Sequence, residues 1–97
     1  MIAILWEFLV RADKRDEFEQ HYSAAGTWAQ FFAASVAYHG TTLLAGEGNR
    51  YITCDRWDSL ESYEEFRRAR ADEYAALDRR FEALTLSERS LGIFEMK

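Results

Sequence analysis

The sequence contains no proline, one cysteine and five glycines. A single cysteine, Cys54, excludes an internal disulfide and any zinc site built from several thiolates. With no proline, 48% hydrophobic residues and 15% aromatic residues, the chain is not disordered or collagen-like. Its 97 residues are the size of one folded unit, so we expect a single domain over residues 1–97.

Basic residues are also scarce, with 12 Lys and Arg against 17 Asp and Glu. Because a nucleic-acid binder needs a basic face to neutralise phosphates, we expect no nucleic-acid partner. An uncharged stretch from Ala24 to Thr42 contains Ser, Gln, His and Thr, which does not suit a membrane span. The first residues lack the basic leader of a signal peptide. We therefore expect no membrane association and a cytoplasmic location.

Four segments have the composition of β-strands. The first, Ile2–Val10, is almost continuously apolar, which favours a strand buried on both faces. Val36–Ala45 and Arg50–Trp57 flank a Gly- and Asn-containing turn and are expected to form a hairpin, with Gly40 marking a bulge. Ser90–Met96 is the last predicted strand.

Apolar residues at helical spacing predict two helical regions between these strands. Asp13 can cap the first region, which Gly26 interrupts before a short piece capped by Thr27. The second region carries a stripe with steps of three or four, namely Leu60, Tyr63, Phe66, Arg70, Tyr74, Leu77, Phe81 and Leu84. An unbroken helix of that length, about 39 Å, would overhang so small a domain, so we expect a break near residues 71–72.

The order β-α-β-β-α-β predicts a ferredoxin-like α+β fold, an antiparallel sheet with the helices on one face. Strict alternation along the strands leaves the other face apolar, through Leu5, Leu9, Ile52, Cys54, Leu91 and Ile93. Because so large an apolar patch marks an interface, we expect a homodimer formed through the sheet faces. The alternative is a monomer that tolerates the patch.

Several short segments carry a family resemblance. They are Leu5–Val10 (LWEFLV), Asp16–Glu19 (DEFE), Gly26–Trp28 (GTW) and residues 55–66 (DRWDSLESYEEF). The last looks like a strand–Trp–x–Ser–x–Glu–x–aromatic signature. Together they resemble the dimeric α+β barrel superfamily, and within it the antibiotic-biosynthesis-monooxygenase-like group.

This resemblance implies a cofactor-independent monooxygenase-like enzyme that acts on an aromatic or polyketide-type small molecule. Such an enzyme needs no cofactor because the deprotonated substrate itself supplies electrons to oxygen. A fold does not fix a function, so two alternatives stay open. One is a non-catalytic dimer that binds a small apolar or aromatic ligand or serves as an accessory protein. The other is an isomerase or cyclase that uses His39 with Asp55.

The resemblance also implies a pocket between helices and sheet, lined by Trp6, Trp28 and Phe66. Arg70 is the one charge in the apolar stripe of the second helical region, and a buried guanidinium needs a partner. It would hold an enolate oxygen, with Tyr74 adding a hydrogen bond, or it would pair with Asp55 or extend to solvent. His39 is the candidate general base, because histidine is the side chain most often used for general acid–base catalysis.

Metal and haem sites have weak support in the sequence. Glu17 and His21 are four residues apart on a predicted helix, but two ligands do not make a metal site. The haem-degrading members of the superfamily carry a haem-ligating His on the second helix, where the corresponding position here looks like Ala76. We therefore expect neither a metal nor a haem.

Glu7, which interrupts the first strand, is expected to pair with Arg56.

Overall fold

The computed structural model describes all 97 residues as four strands and four helices. The strands are β1 (Ile2–Val10), β2 (Tyr38–Ala45), β3 (Arg50–Trp57) and β4 (Thr85–Glu95). The helices are α1 (Arg15–Tyr22), α2 (Thr27–Phe32), α3 (Leu60–Ala69) and α4 (Ala71–Phe81). The sequence predicts β1 and β3 at these bounds, whereas β2 begins later than predicted and β4 begins earlier.

The strands form one sheet in the order β2-β3-β1-β4, and every neighbouring pair is antiparallel. The helices cover one face of this sheet, so the ferredoxin-like α+β fold is confirmed. Directly paired residues share a face, and the register places Trp6 opposite Thr53 and Ile4 opposite Asp55. Trp6, Thr53, Ile4 and Asp55 all lie on the helix-covered face.

A bulge in the pairing of β1 with β4 changes one face assignment that simple alternation predicts. The register of β1 against β4 shifts between Leu5 and Trp6, so Ile93 pairs with Ile4 on the helix side. Phe94, which pairs with Ala3, takes its place on the opposite face. The prediction for Ile93 is therefore wrong, because alternation cannot anticipate a bulge. The bulge predicted at Gly40 is present, with a φ of 118° there.

The helix boundaries follow local backbone chemistry. Ser59 caps α3 by accepting a hydrogen bond from the Ser62 backbone N–H at 3.1 Å. The break between α3 and α4 falls at Arg70, whose φ and ψ are −125° and 35°, next to the predicted position. Asp13 lies in a short 3₁₀ turn and does not cap α1, and Gly26 takes the position before α2 that Thr27 was predicted to fill.

Two aromatic-rich clusters fill the space between sheet and helices. One contains Phe8, Val10, Phe18, Tyr51, Phe81 and Leu84, and the other contains Ile4, Phe32, Trp57 and Phe66. Trp6 and Trp28 pack against both clusters. The boundary between the two clusters is where the candidate site lies.

The face of the sheet away from the helices is uncovered and partly apolar. We call it the open sheet face; its apolar members are Leu5, Leu9, Leu44, Ile52, Cys54 and Phe94. Leu44 and Phe94 are 52% and 51% exposed.

Glu7 lies on this face and pairs with Arg50 at 2.6 Å and Arg89 at 3.0 Å rather than with Arg56. Those contacts lower the pKa of Glu7, first through the Arg50 hydrogen bond.

None of the four helices combines the length and hydropathy that a membrane span requires.

Candidate active site

A cavity of about 180 Å³ lies between the sheet and the helices. Aromatic side chains form most of its wall, among them Trp6, Phe8, Tyr22, Trp28, Tyr63 and Tyr74. Apolar cavities of about 150 Å³ bind benzene, whereas sites for drug-sized ligands start near 300 Å³. The cavity is therefore the size of one aromatic ring.

Strand alternation and the packing of two helices build this cavity. Trp6 and Phe8 of β1 and Thr53 and Asp55 of β3 point towards the helices because every second side chain faces the same way. Trp28 of α2 meets Tyr74 of α4 edge to face, with 5.1 Å between ring centroids. The sheet forms the floor and these helices close over it.

Asp55 of β3 is an acidic group of the cavity floor. Its Oδ1 accepts a hydrogen bond from Thr41 Oγ1 at 2.5 Å, and it forms no ion pair. Desolvation raises the pKa of Asp55 to about 6, although the Thr41 hydrogen bond and the Arg56 charge act in the opposite direction. A carboxylate with this pKa can accept a proton near neutral pH.

Two further carboxylates, Asp78 of α4 and Glu88 of β4, also line the cavity beside Tyr22. Desolvation raises the pKa of both, and the charge of Asp78 adds to the effect on Glu88. Burial raises the pKa of Tyr22 to about 12, so its hydroxyl stays protonated. The cavity wall thus combines aromatic rings with three carboxyl groups.

The helices contribute hydrogen-bond donors to the wall of the cavity. Arg67 is the only basic side chain that lines the cavity, and its guanidinium carbon lies 4.1 Å from the centroid of the Tyr74 ring. Burial raises the pKa of Tyr74 far above its ordinary value, so its hydroxyl is a neutral donor. The indole Nε1 of Trp28 is buried and has no hydrogen-bond partner in the protein. Each of these groups can donate to an anionic oxygen.

Three of the six residues predicted for the site lie in the cavity wall, namely Trp6, Trp28 and Tyr74. Phe66 is 8% exposed and packs in the neighbouring core cluster instead. Arg70 lies at the junction of α3 and α4, where it pairs with Glu73 at 3.4 Å. His39 pairs with Asp58 at 2.5 Å on the surface. The structure does not bring Arg70 or His39 to the cavity, nor His39 to Asp55.

Arg67 and Thr41 are site residues that the sequence analysis missed. Arg67 lies four residues after Tyr63 in α3 and so on the same face, but the stripe followed the apolar residue Phe66 and passed over it. Asp55 entered that analysis only as a partner for other residues. A usable signal existed, because Asp55 lies two residues before the buried Trp57 and therefore on the same face of β3.

One of the two side chains considered as metal ligands, His21, is engaged in other contacts. His21 Nδ1 forms a hydrogen bond with Thr27 Oγ1 at 2.7 Å, and its ring contacts Phe81. No group of three or more His, Cys, Asp or Glu side chains is arranged to hold a metal ion.

Comparison with solved structures identifies the architecture. SnoaB, a cofactor-independent oxygenase from Streptomyces nogalater, aligns with a TM-score of 0.72 and 24% identity over 99% of this chain and 92% of that one. A protein assigned to the antibiotic biosynthesis monooxygenases, from Bordetella bronchiseptica, aligns with a TM-score of 0.75 and 16% identity over 99% and 96%. The chain has the antibiotic biosynthesis monooxygenase-like fold.

This monooxygenase-like fold extends to other protein groups. A NIPSNAP family protein from Agrobacterium tumefaciens aligns with a TM-score of 0.68 and 19% identity over 99% of this chain and 92% of that one. No protein-family model and no curated protein matches the sequence. The comparisons establish the architecture of the chain.

Proposed function

We propose that this monooxygenase-like protein is a cofactor-independent oxygenase that acts on a small aromatic phenol or enol. One observation carries the proposal: Asp55, with a pKa raised to about 6, lies in an aromatic cavity about the size of a single ring. A flat, apolar ligand is complementary to such walls, and a phenol or enol gives up a proton to such a base.

Asp55 would start the reaction by taking that proton. Its Oδ1 is engaged by Thr41, whereas Oδ2 has no hydrogen-bond partner and is left for the substrate. The resulting enolate is electron-rich and reduces molecular oxygen, which then bonds to the substrate carbon. At a ring C–H of a phenol, or at an activated CH₂ group, one oxygen atom enters the product as a carbonyl, giving a quinone or a ketone, and the other leaves as water. The substrate supplies all the electrons, so the step needs no external reductant.

The donors on the helix side would stabilise the negative charge that forms. Tyr74 stays neutral, Trp28 has an unused indole N–H, and Arg67 brings a positive charge over the Tyr74 ring. Fixed donors of this kind stabilise a developing oxyanion most strongly where water is excluded. In this proposal Arg67 takes the role considered for Arg70, and Asp55 takes the role considered for His39.

Oxygen uptake with a single-ring hydroquinone tests the function. Because Asp55→Asn keeps the shape but cannot accept the proton, we expect it to lower kcat by about 10²- to 10⁴-fold. Asp58→Asn is the matched control, since Asp58 pairs with His39 on the surface, and it should retain turnover. Equal rates for Asp55→Asn and the native protein contradict the proposal. Binding of the hydroquinone without oxygen uptake favours the non-catalytic alternative.

We also propose that a second copy of the chain covers the open sheet face. Its large apolar side chains include Leu9, Leu44 and Phe94, which are 39%, 52% and 51% exposed. The acid within this face, Glu7, is already neutralised by Arg50 and Arg89 of its own chain. An apolar surface with internally paired charge suits a two-fold contact with itself.

A further inference from the structure

A chain of hydrogen bonds leads from Asp55 away from the cavity. Thr41 Oγ1 lies 2.5 Å from Asp55 Oδ1, and the Tyr38 hydroxyl lies 2.5 Å from the same Thr41 oxygen. Thr41 is 6% exposed, so solvent has little access to the middle of this chain. The three groups come from the neighbouring strands β2 and β3, whose pairing places Thr41 opposite Asp55.

The donors in this chain have a fixed direction when Asp55 is ionised. A carboxylate only accepts, so the single hydroxyl proton of Thr41 points to Asp55. The Thr41 oxygen then accepts from the Tyr38 hydroxyl, which is the remaining donor. Every oxygen in the row is therefore already joined to the next by a proton.

The far end of the chain lies outside the cavity. Tyr38 is partly exposed and is not part of the cavity wall. Its ring is held by Phe32 and Trp57, with centroid separations of 5.5 and 5.4 Å. The packing of the ring thus positions the hydroxyl of this partly exposed residue against Thr41.

We infer that Thr41 and Tyr38 form a proton relay that carries the proton taken by Asp55 out to solvent while the cavity is occupied. The inference rests on the proposed role of Asp55 as the base. The phenol O–H bond breaks and Asp55 Oδ2 gains the proton. The carboxyl group and both hydroxyls then rotate, which reverses the direction of the donors: Asp55 donates its proton to Thr41, and Thr41 passes its own proton to Tyr38. Tyr38 releases one proton to water, so each hydroxyl ends with one proton and Asp55 is ionised again.

Other charged groups face the same site and must stay constant in a test. Arg67 of α3, Asp78 of α4 and Glu88 of β4 line the cavity, and Arg56 follows Asp55 in β3. Tyr38→Phe removes one oxygen atom at the far end of the relay and leaves all of these groups in place. Thr41→Val interrupts the relay in the middle and serves as the second variant.

The probe is 4-nitrophenol, whose ionisation changes its visible absorption and which does not need oxygen to report. The protein is saturated with the probe and the pH is raised rapidly in a stopped-flow instrument. We expect ionisation of the bound probe to slow about tenfold or more in Tyr38→Phe and in Thr41→Val. Tyr51→Phe is the matched control, because the Tyr51 hydroxyl bonds Glu19 and Arg15 outside the cavity, and it should keep the native rate.

The outcomes separate the relay from the proposed oxygenase function. Native ionisation rates in both relay variants overturn the relay, whatever the oxygen-uptake assay shows. Slowed ionisation together with no oxygen uptake by the native protein supports the relay and overturns only the oxygenase function. Failure of 4-nitrophenol to bind or to ionise in the native protein overturns both. Thermal unfolding of each variant confirms that the comparison is made between folded proteins.

Discussion

At the scale of single residues, Asp55 combines a cost in stability with a use in chemistry. A carboxylate that loses water without gaining a cation is penalised in its charged form, and Asp55 has one hydrogen bond, from Thr41, in return. Its pKa is therefore raised from 3.8 to about 6. Ionisable groups with strongly shifted pKa values cluster at functional sites, so the raised pKa of Asp55 supports a functional site at this residue.

The raised pKa of Asp55 predicts how stability changes with pH. Between pH 3.8 and about 6 the folded protein binds more protons at Asp55 than the unfolded chain, so this group lowers stability as the pH rises through that window. Asp55→Asn removes the penalty and should raise the free energy of unfolding at pH 7 by about 1–3 kcal/mol relative to the native protein, with a much smaller difference at pH 4.

Urea denaturation of the native protein and Asp55→Asn at both pH values measures this difference. Asp58→Asn, on the surface beside His39, is the control and should not show the same gain at pH 7. If Asp55→Asn is less stable than the native protein at pH 7, the ionised Asp55 stabilises the fold, and burial does not raise its pKa.

At the scale of the elements, the covering helices α1 to α4 act as two broken pairs. Gly26 separates α1 from α2, and Arg70 separates α3 from α4. Each break lets the chain change direction and bring a second short helix over the sheet. The Trp28–Tyr74 contact that closes the cavity joins the second member of each pair. The cavity therefore depends on where the two breaks lie.

Gly26 provides a direct test of this dependence. A Cβ at Gly26 would lie 2.6 Å from both the backbone C and the backbone O of His21, so α2 must shift away from α1 to admit it. We expect Gly26→Ala to lower the free energy of unfolding by about 2 kcal/mol and to weaken binding of an aromatic probe in the cavity. Gly46→Ala is the control, because its nearest contact is 3.4 Å. Equal stability of the two variants in urea denaturation would show that α2 is not held by this close approach.

The accuracy of the sequence-based prediction also varies at the scale of elements. Composition predicted β1 and β3 because continuous β-forming residues need no tertiary information, and helix length alone predicted a break close to Arg70. The site was predicted less well. The apolar stripe pointed to Arg70, which lies at the break and leaves the helical face, while the structure places Arg67, one turn after Tyr63, at the cavity. The position of Ile93 depends on a bulge that only strand pairing reveals.

At the scale of the whole molecule, the two faces of the sheet have different environments. The helix-covered face holds both core clusters and the cavity, whereas the open sheet face keeps apolar side chains at its surface. A chain of 97 residues buries only about two thirds of the surface that its unfolded form exposes, so its free energy of unfolding is small. Covering the open sheet face would increase that free energy. Association and folding should then be linked, with stability rising with protein concentration.

Leu5 lies near the middle of the open sheet face, paired with Cys54 of β3 and Gly92 of β4, and is the position at which to test the proposed dimer. Leu5→Lys would place a charge in a face-to-face contact, where it would lose water without gaining a partner. We expect the native chain to sediment at twice its mass of 11.3 kDa and Leu5→Lys to sediment as a monomer. Val36→Lys introduces the same charge at a loop residue that is 98% exposed and should leave the dimer intact. A folded native monomer at micromolar concentration would overturn the dimer and leave the cavity, which one chain lines alone, as a complete site.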